Sequence, residues 1–310
     1  MAILSLMSNR ALGPIYIAIA ASLWGLSAAV AKLFFTQDID TLVVIQTRST
    51  FACLLLAPLA LLSKGWRVAS WREGLRVLPL GVVGVAGSNF TYYYAVDRTT
   101  VATAIVLQYT APIMVAVYQA LFEGRRLSLV DAGIILLVLF GSYVTVAGPG
   151  AAVFGPGMAV DGLLAGVASA VCWAFFNLYE RRLGDIPLRA KLFTSLLCAA
   201  LFWALVQNPW ALARKIPDAR VFGLLVGFAF LSILLPYIFY FGGLRRCAPL
   251  PAIVTANIEP VMAILFSALI VGAVVPPSQM FGALCVVVGA TLFNVKSLRA
   301  AGRAAPAQVT

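Results

Sequence analysis

Ten long apolar runs, separated by short polar or Gly/Pro-containing segments, set the architecture of this chain: Gly13–Leu33, Thr41–Leu62, Leu75–Val96, Thr99–Phe122, Leu129–Ala147, Gly162–Tyr179, Leu188–Gln207, Val221–Leu244, Pro251–Val271 and Gln279–Val295. Each approaches the roughly 20 residues that a helix needs to cross hydrocarbon. None has the weak period-two alternation of an outer-membrane barrel. The pattern also repeats. Sliding Ser88–Val146 onto Pro236–Asn294 without a gap, an offset of 148 residues, brings Tyr92 onto Tyr240, Arg98 onto Arg246, Pro112 onto Pro260, Gly124 onto Gly272 and Gly141 onto Gly289. Apolar composition alone matches Ala, Leu and Val by chance, but not Pro, Gly, Arg and Tyr in one frame. Five spans per copy is an odd number, so the second copy enters the membrane in the opposite orientation. The expected fold is an all-α integral membrane protein with ten transmembrane helices in two inverted five-helix repeats, residues 1–147 and 161–299. An uncharged Gly/Pro-rich connector, 148–160, joins them, and a disordered tail, 300–310, follows. Inverted repeats recur in secondary transporters because two halves of opposite orientation give related states open to opposite sides.

Composition agrees: 62% of residues are hydrophobic, only 11% are charged, and the mean hydropathy is +0.99, whereas soluble domains carry ~25% charged residues. A net charge of +11 would suggest nucleic acid in a soluble protein, but here its distribution by side carries the meaning. With odd spans running from inside to outside, sixteen Lys and Arg residues fall in the cytoplasm. Five (Lys32, Arg98, Arg214, Lys215 and Arg220) fall outside. Positive residues favour the cytoplasmic face, which predicts both termini inside a bacterial-type inner membrane, with the lipid bilayer and no nucleic acid as partner. The first span could imitate a signal peptide, since Ala18–Ala21 resembles a small-residue cleavage site, but its apolar run continues to Phe35 and it is expected to be retained. The five cysteines have no CxxC or metal-ligand spacing and read as small packing residues. Histidine is absent, which removes Ser-His catalysis and histidine metal ligation, and no GxxxxGK[ST] phosphate loop occurs. The chain is not expected to be an enzyme, to hold a metal or cofactor, or to hydrolyse ATP.

Candidate chemistry lies where polar groups stand at membrane depth, since burying a charge there costs about 2.5–3.5 kcal/mol. Glu259 sits eight residues into the ninth span and Arg48 seven or eight into the second; either couples transport or is structural, Arg48 by snorkelling or by pairing with Glu259 or a helix end. Ser169, Trp173, Asn177 and Glu180 form one stripe of the sixth span at helical spacing. Ser88 and Tyr92 share a face of the third span, beside Asn89. Gln108 and Tyr109 precede Pro112, and Asn257 and Glu259 precede Pro260, at equivalent places in the two copies. Proline loosens the preceding turn and frees carbonyls, so these two broken helices either point to a midplane site or are kinks for packing. Trp24 and Trp173, equivalent at an offset of 149, lie too deep for the interfacial belt that suits Trp66, Trp71 and Trp210. Gly81, Gly84 and Gly87 read as a close helix approach.

Several short patterns resemble the drug/metabolite transporter superfamily, specifically its ten-helix EamA-type exporters, over essentially the whole chain. They are Ala21-Ser22-Leu23-Trp24-Gly25 with Lys32 following, Arg48 early in the second span, Ala111-Pro112 through Phe122-Glu123, and Glu259-Pro260. One departure is visible: the family's second copy closes with Gly-Glu, whereas Gly272 here precedes Ala273. Ser88–Tyr94, Gln108-Tyr109 and Trp173 are most similar to the superfamily's aromatic amino-acid exporters. The resemblance implies a secondary exporter of aromatic and other neutral amino acids, functional as a monomer and working by alternating access. Trp173, Tyr92, Tyr109 and Trp24 would form an apolar slot with cation–π capacity. Gln108, Asn177 and Asn257, with Ser88 and Asn89, would bond the polar end. Export of hydrophobic cations follows instead if Glu259 is ionised and faces the cavity; a lipid translocase or membrane enzyme is the reading from another class.

Overall fold

Hydrocarbon offers backbone groups no partners, so each apolar run must satisfy its own as helix. The computed structural model describes residues 2–35, 41–125, 127–147, 153, 158–216 and 218–304. Among these there is no strand. The first half comprises α1 (Ala2–Phe35), α2 (Thr41–Leu62), α3 (Trp71–Pro79), a π-helical turn (Leu80–Gly87), α4 (Ser88–Arg98), α5 (Val101–Gln108), α6 (Ala111–Phe122) and α7 (Leu129–Ala147). The second comprises α8 (Val160–Arg182), α9 (Leu188–Val206), the short α10 (Pro209–Ala213), α11 (Ala219–Ala229), a second π-helical turn (Phe230–Leu234), α12 (Leu235–Leu244), α13 (Pro249–Ala256), α14 (Glu259–Val271) and α15 (Pro277–Ala304).

Nine helical segments among the described residues are long and apolar enough to cross a membrane. The expected third span is not one of them. Its place is held by the uninterrupted stretch α3, π turn and α4, Trp71–Arg98, whose hydropathy is diluted by Ser88, Asn89, Thr91 and three successive tyrosines. The expected fourth and ninth spans are each two helices end to end, α5–α6 and α13–α14, broken just before Pro112 and Pro260. Less foreseeable are the two π turns. Shifted by 148, Phe230–Leu234 falls inside Leu80–Gly87, so both halves carry the same irregularity at the same place. In the first of these turns the Asn89 Nδ2 donates to the Val85 carbonyl at 2.7 Å, beside the Ser88 backbone N–H.

Three helix pairs set the packing. In α7 and α15 a Cβ on Gly141 would stand 2.7 Å from the Gly282 carbonyl, and one on Gly289 2.5 Å from the Val138 side chain, with Ile134 next to it. Residue numbers rise along one helix as they fall along the other, so the pair is antiparallel. α1 packs on α12, where Gly243 meets Ile17 and Gly242 meets Tyr16, and just past α12 Arg246 and Cys247 meet Gly13. α8 packs on α4, where Gly162 meets Arg98 and Thr99. Gly81 and Gly84 admit α9 and Phe176 at similar range. Off the bundle, Arg76 donates two bonds to Asp185 (2.7 and 2.8 Å), strapping α3 to the α8–α9 loop and holding the Asp185 carboxyl below its usual range. Cys53 and Cys285 are buried free thiols. Most of the connector lies outside the described residues; within it Val153 is buried and its carbonyl accepts from the Thr103 hydroxyl. Helix α15 runs to Ala304, into the segment expected to be disordered, and 305–310 lie outside the described residues.

Candidate functional site

A cavity of about 170 Å³ opens at the level of the helix breaks and π turns. Ten of the eleven residues singled out in the sequence line it: Trp24 from α1, Arg48 from α2, Ser88, Asn89 and Tyr92 from α4, Gln108 and Tyr109 at the end of α5, Trp173 from α8, Asn257 after α13, and Glu259 opening α14. The walls are mixed. Trp173 stacks on Phe176 (centroids 5.1 Å, planes 16° apart), meets Trp24 edge-on (5.6 Å, 77°) and leans on Tyr240 (5.0 Å). Tyr92 and Tyr93 contribute a second aromatic wall, 5.0 Å centroid to centroid. Between the walls, the Gln108 Nε2 donates to the Ser88 hydroxyl at 3.3 Å.

Asn177 is not in the cavity. It is fully buried behind Trp173; its Nδ2 donates to the Trp173 carbonyl at 2.8 Å and its Oδ1 accepts from the Tyr240 hydroxyl at 2.6 Å. Of the stripe Ser169, Trp173, Asn177 and Glu180, only Trp173 reaches the opening: Ser169 is closed on its own helix and Glu180 is buried in an ion pair with Lys191. Arg48 does not pair with Glu259. Its Nε donates to the Ser232 hydroxyl at 2.9 Å and its guanidinium also reaches the Ser232 carbonyl and the Tyr93 hydroxyl, over the Phe228 ring. The cation thus ties α2 to the second π turn and to α4. Sequence reasoning missed Tyr93, Tyr237 and Ser232. Tyr93 left a trace as part of the Ser88–Tyr94 stretch and Tyr237 as the repeat equivalent of Asn89, whereas Ser232 left none.

Three pairs of repeat equivalents meet each other across this cavity. Trp24 touches Trp173; the Asn257 Nδ2 reaches the Tyr109 carbonyl at 3.4 Å; Asn89 lies against Tyr237. The Tyr109 carbonyl is available because the helix breaks there: the Ile113 N–H bonds to Thr110 instead. Among the described residues that line the cavity, Glu259 is the lone carboxylate and Arg48 the lone cation. No group of three or more metal-ligating side chains occurs among them.

A family model, the EamA-like transporter family, matches the chain twice, over residues 11–147 and 161–295. The chain belongs to that family. Among its relatives is the uncharacterized inner membrane transporter YicL of Salmonella typhimurium, 25% identical over 307 residues that cover 95% of this chain and 99% of that one. The threonine/homoserine exporter RhtA of Escherichia coli K12 is 25% identical over 241 residues, 76% of each chain. The aromatic amino acid exporter YddG of Ancylobacter novellus is 30% identical over 129 residues, 41% of this chain and 44% of that exporter. A crystal structure superposes with a TM-score of 0.72 at 21% identity, covering 91% of this chain and 96% of the other, a likeness of fold.

Proposed function

We propose that this protein is a secondary exporter of aromatic and other neutral amino acids in a bacterial inner membrane. It works by alternating access about a two-fold axis that lies in the membrane plane and passes through the cavity. The observation that carries the reading is the meeting of Trp24 with Trp173, Tyr109 with Asn257 and Asn89 with Tyr237 on the cavity wall: a residue can touch its own equivalent only near the axis relating the halves. The antiparallel α7–α15 pair supports an axis across the helices, because Gly141 meets Gly282 while their equivalents, Gly289 and Ile134, meet in exchange, as in an isologous contact. On this reading Trp71–Arg98 is the tenth span, lined with polar residues because it faces the path rather than lipid. With both termini cytoplasmic, the cavity belongs to the outer half, since Val44 to Arg48 begin the inward-running second span and Ser88 to Tyr93 end the outward-running third.

An aromatic amino acid finds here two ring walls and uncharged hydrogen-bonding groups at Gln108, Asn89 and Asn257. The relatives named as exporters, YddG for aromatic amino acids and RhtA for threonine and homoserine, support the substrate class. Hydrophobic-cation export is the second reading, favoured by Glu259 on the wall while Arg48 is occupied elsewhere. Purified protein in liposomes, without ATP, is expected to show flux and counterflow of labelled tryptophan and phenylalanine above protein-free controls. Flux of a lipophilic cation with none of either amino acid would replace the first reading by the second.

A further inference from the structure

The equivalent of Tyr92 is Tyr240, and at the offset that relates Trp24 to Trp173 the equivalent of Ala28 is Asn177. Tyr92 and Ala28 both line the open cavity. Their equivalents are fully buried and joined: the Tyr240 hydroxyl donates to the Asn177 Oδ1 at 2.6 Å, and the carboxamide is held in that orientation by its bond to the Trp173 carbonyl. One turn further along α8, Glu180 is fixed by Lys191 from α9, so that side of the pair is anchored, while Tyr240 stands on α12 just past a π turn and Pro236. In halves related by a two-fold axis, passing from one state to the other exchanges the surroundings of equivalent residues. Resting on the alternating-access reading, we propose that Tyr240 and Asn177 are the substrate-facing wall of the cytoplasm-open state, and that their hydrogen bond is the latch that shuts the cytoplasmic half of the path here. An aromatic amino acid arriving from the cytoplasm meets the Tyr240 ring and the Asn177 carboxamide, as one leaving meets Tyr92. The outer gate has no matching latch, because Ala28 offers Tyr92 no hydrogen-bonding group. That difference biases the resting protein toward the outward-open state.

Tyr240→Phe removes the latch and keeps the ring; Ala28→Asn, at an exposed position on the cavity wall, builds the missing outer one. Both are read in sided liposomes as the ratio of KM at the cytoplasmic face to KM at the outer face, since apparent affinity at a face scales with the fraction of protein open to it. The ratio is expected to fall roughly threefold to tenfold in Tyr240→Phe, the range of one buried hydrogen bond, and to fall also in Ala28→Asn. Tryptophan is the probe, or a lipophilic cation if the wild type carries that instead, so failure of the amino-acid reading leaves this comparison intact. Should Tyr240→Phe not fold, Ala28→Asn decides alone. A ratio unchanged or raised in the variants that fold overturns the latch.

Discussion

Trp173→Ala tests whether the aromatic wall binds substrate or only fills space. The indole makes three ring contacts, with Phe176, Trp24 and Tyr240, and aromatic pairs contribute about 0.5–1.5 kcal/mol each beyond buried area. Its remaining surface faces the cavity, where an aromatic substrate gains one more such pair and its ammonium gains about 0.5–2 kcal/mol over a ring face. Removing the ring therefore costs substrate about 1–3 kcal/mol, a rise in KM of roughly 5- to 150-fold. The assay is counterflow of tryptophan in liposomes beside thermal unfolding in detergent, with Trp173→Phe, which keeps a ring, expected to lie between wild type and Trp173→Ala in KM. Trp210→Ala, 79% exposed and away from the cavity, is expected to change neither. If Trp173→Ala unfolds at lower temperature but transports with an unchanged KM, the ring is structural and the slot must be sought elsewhere.

Gly141→Val would press its Cβ against the Gly282 carbonyl and the Cys285 Cβ, at 2.7 and 2.8 Å. A backbone oxygen cannot swing aside, so overpacking of about 1–3 kcal/mol should lower the unfolding midpoint by several degrees; Gly133→Val, with nothing within 4 Å, serves as the control, and equal midpoints would discard the α7–α15 contact as a determinant of packing. Arg48→Lys keeps the charge but not the planar fork that reaches Ser232 and Tyr93 together. Flux should fall at least about tenfold, given about 1.5–3 kcal/mol for a charged hydrogen bond; flux retained by lysine would mean that charge alone is needed.

Much of the cavity lining was readable because membrane depth makes polar residues expensive and proline marks its own consequence. Glu259, Gln108 and Asn257 stood out as polar groups in apolar runs, and Pro112 and Pro260 located the breaks to within a few residues. Trp24 and Trp173 were legible from depth alone. Asn177 misled because helical spacing gives a face and not what covers it; whether that face meets open space or the Tyr240 hydroxyl depends on how far α12 leans over α8. Of the partners open to Arg48, Glu259 is not the one taken, since a guanidinium is equally satisfied by a hydroxyl, a carbonyl and a phenol brought together by a π turn. The π turns themselves have no sequence mark comparable to proline. The expected third span falls below the hydropathy of the others because Trp71–Arg98 carries a polar cluster, of which Ser88, Asn89, Tyr92 and Tyr93 line the cavity while Thr91 bonds the Gly87 carbonyl and Tyr94 bonds Asp161.

The proposed axis also explains which equivalents diverged. A residue that meets its own equivalent must complement a copy of itself if the two are identical, and two identical donors facing each other at an axis leave one unsatisfied. The meetings found here are unlike pairs where hydrogen bonding matters: Asn257 donates to the Tyr109 carbonyl, and Asn89 faces Tyr237. The meeting that stayed identical, Trp24 with Trp173, is apolar and edge-on, a geometry in which one ring's positive edge suits the other's negative face. Away from these meetings equivalent positions differ in chemistry: Glu259 lines the cavity while its equivalent Ala111 is fully buried, and Gln108 has Ala256 as its equivalent. Two similar halves thereby present unlike groups at equivalent places, and on the proposed function that difference is what would let a zwitterion, whose two ends are themselves unlike, be held in one direction rather than two.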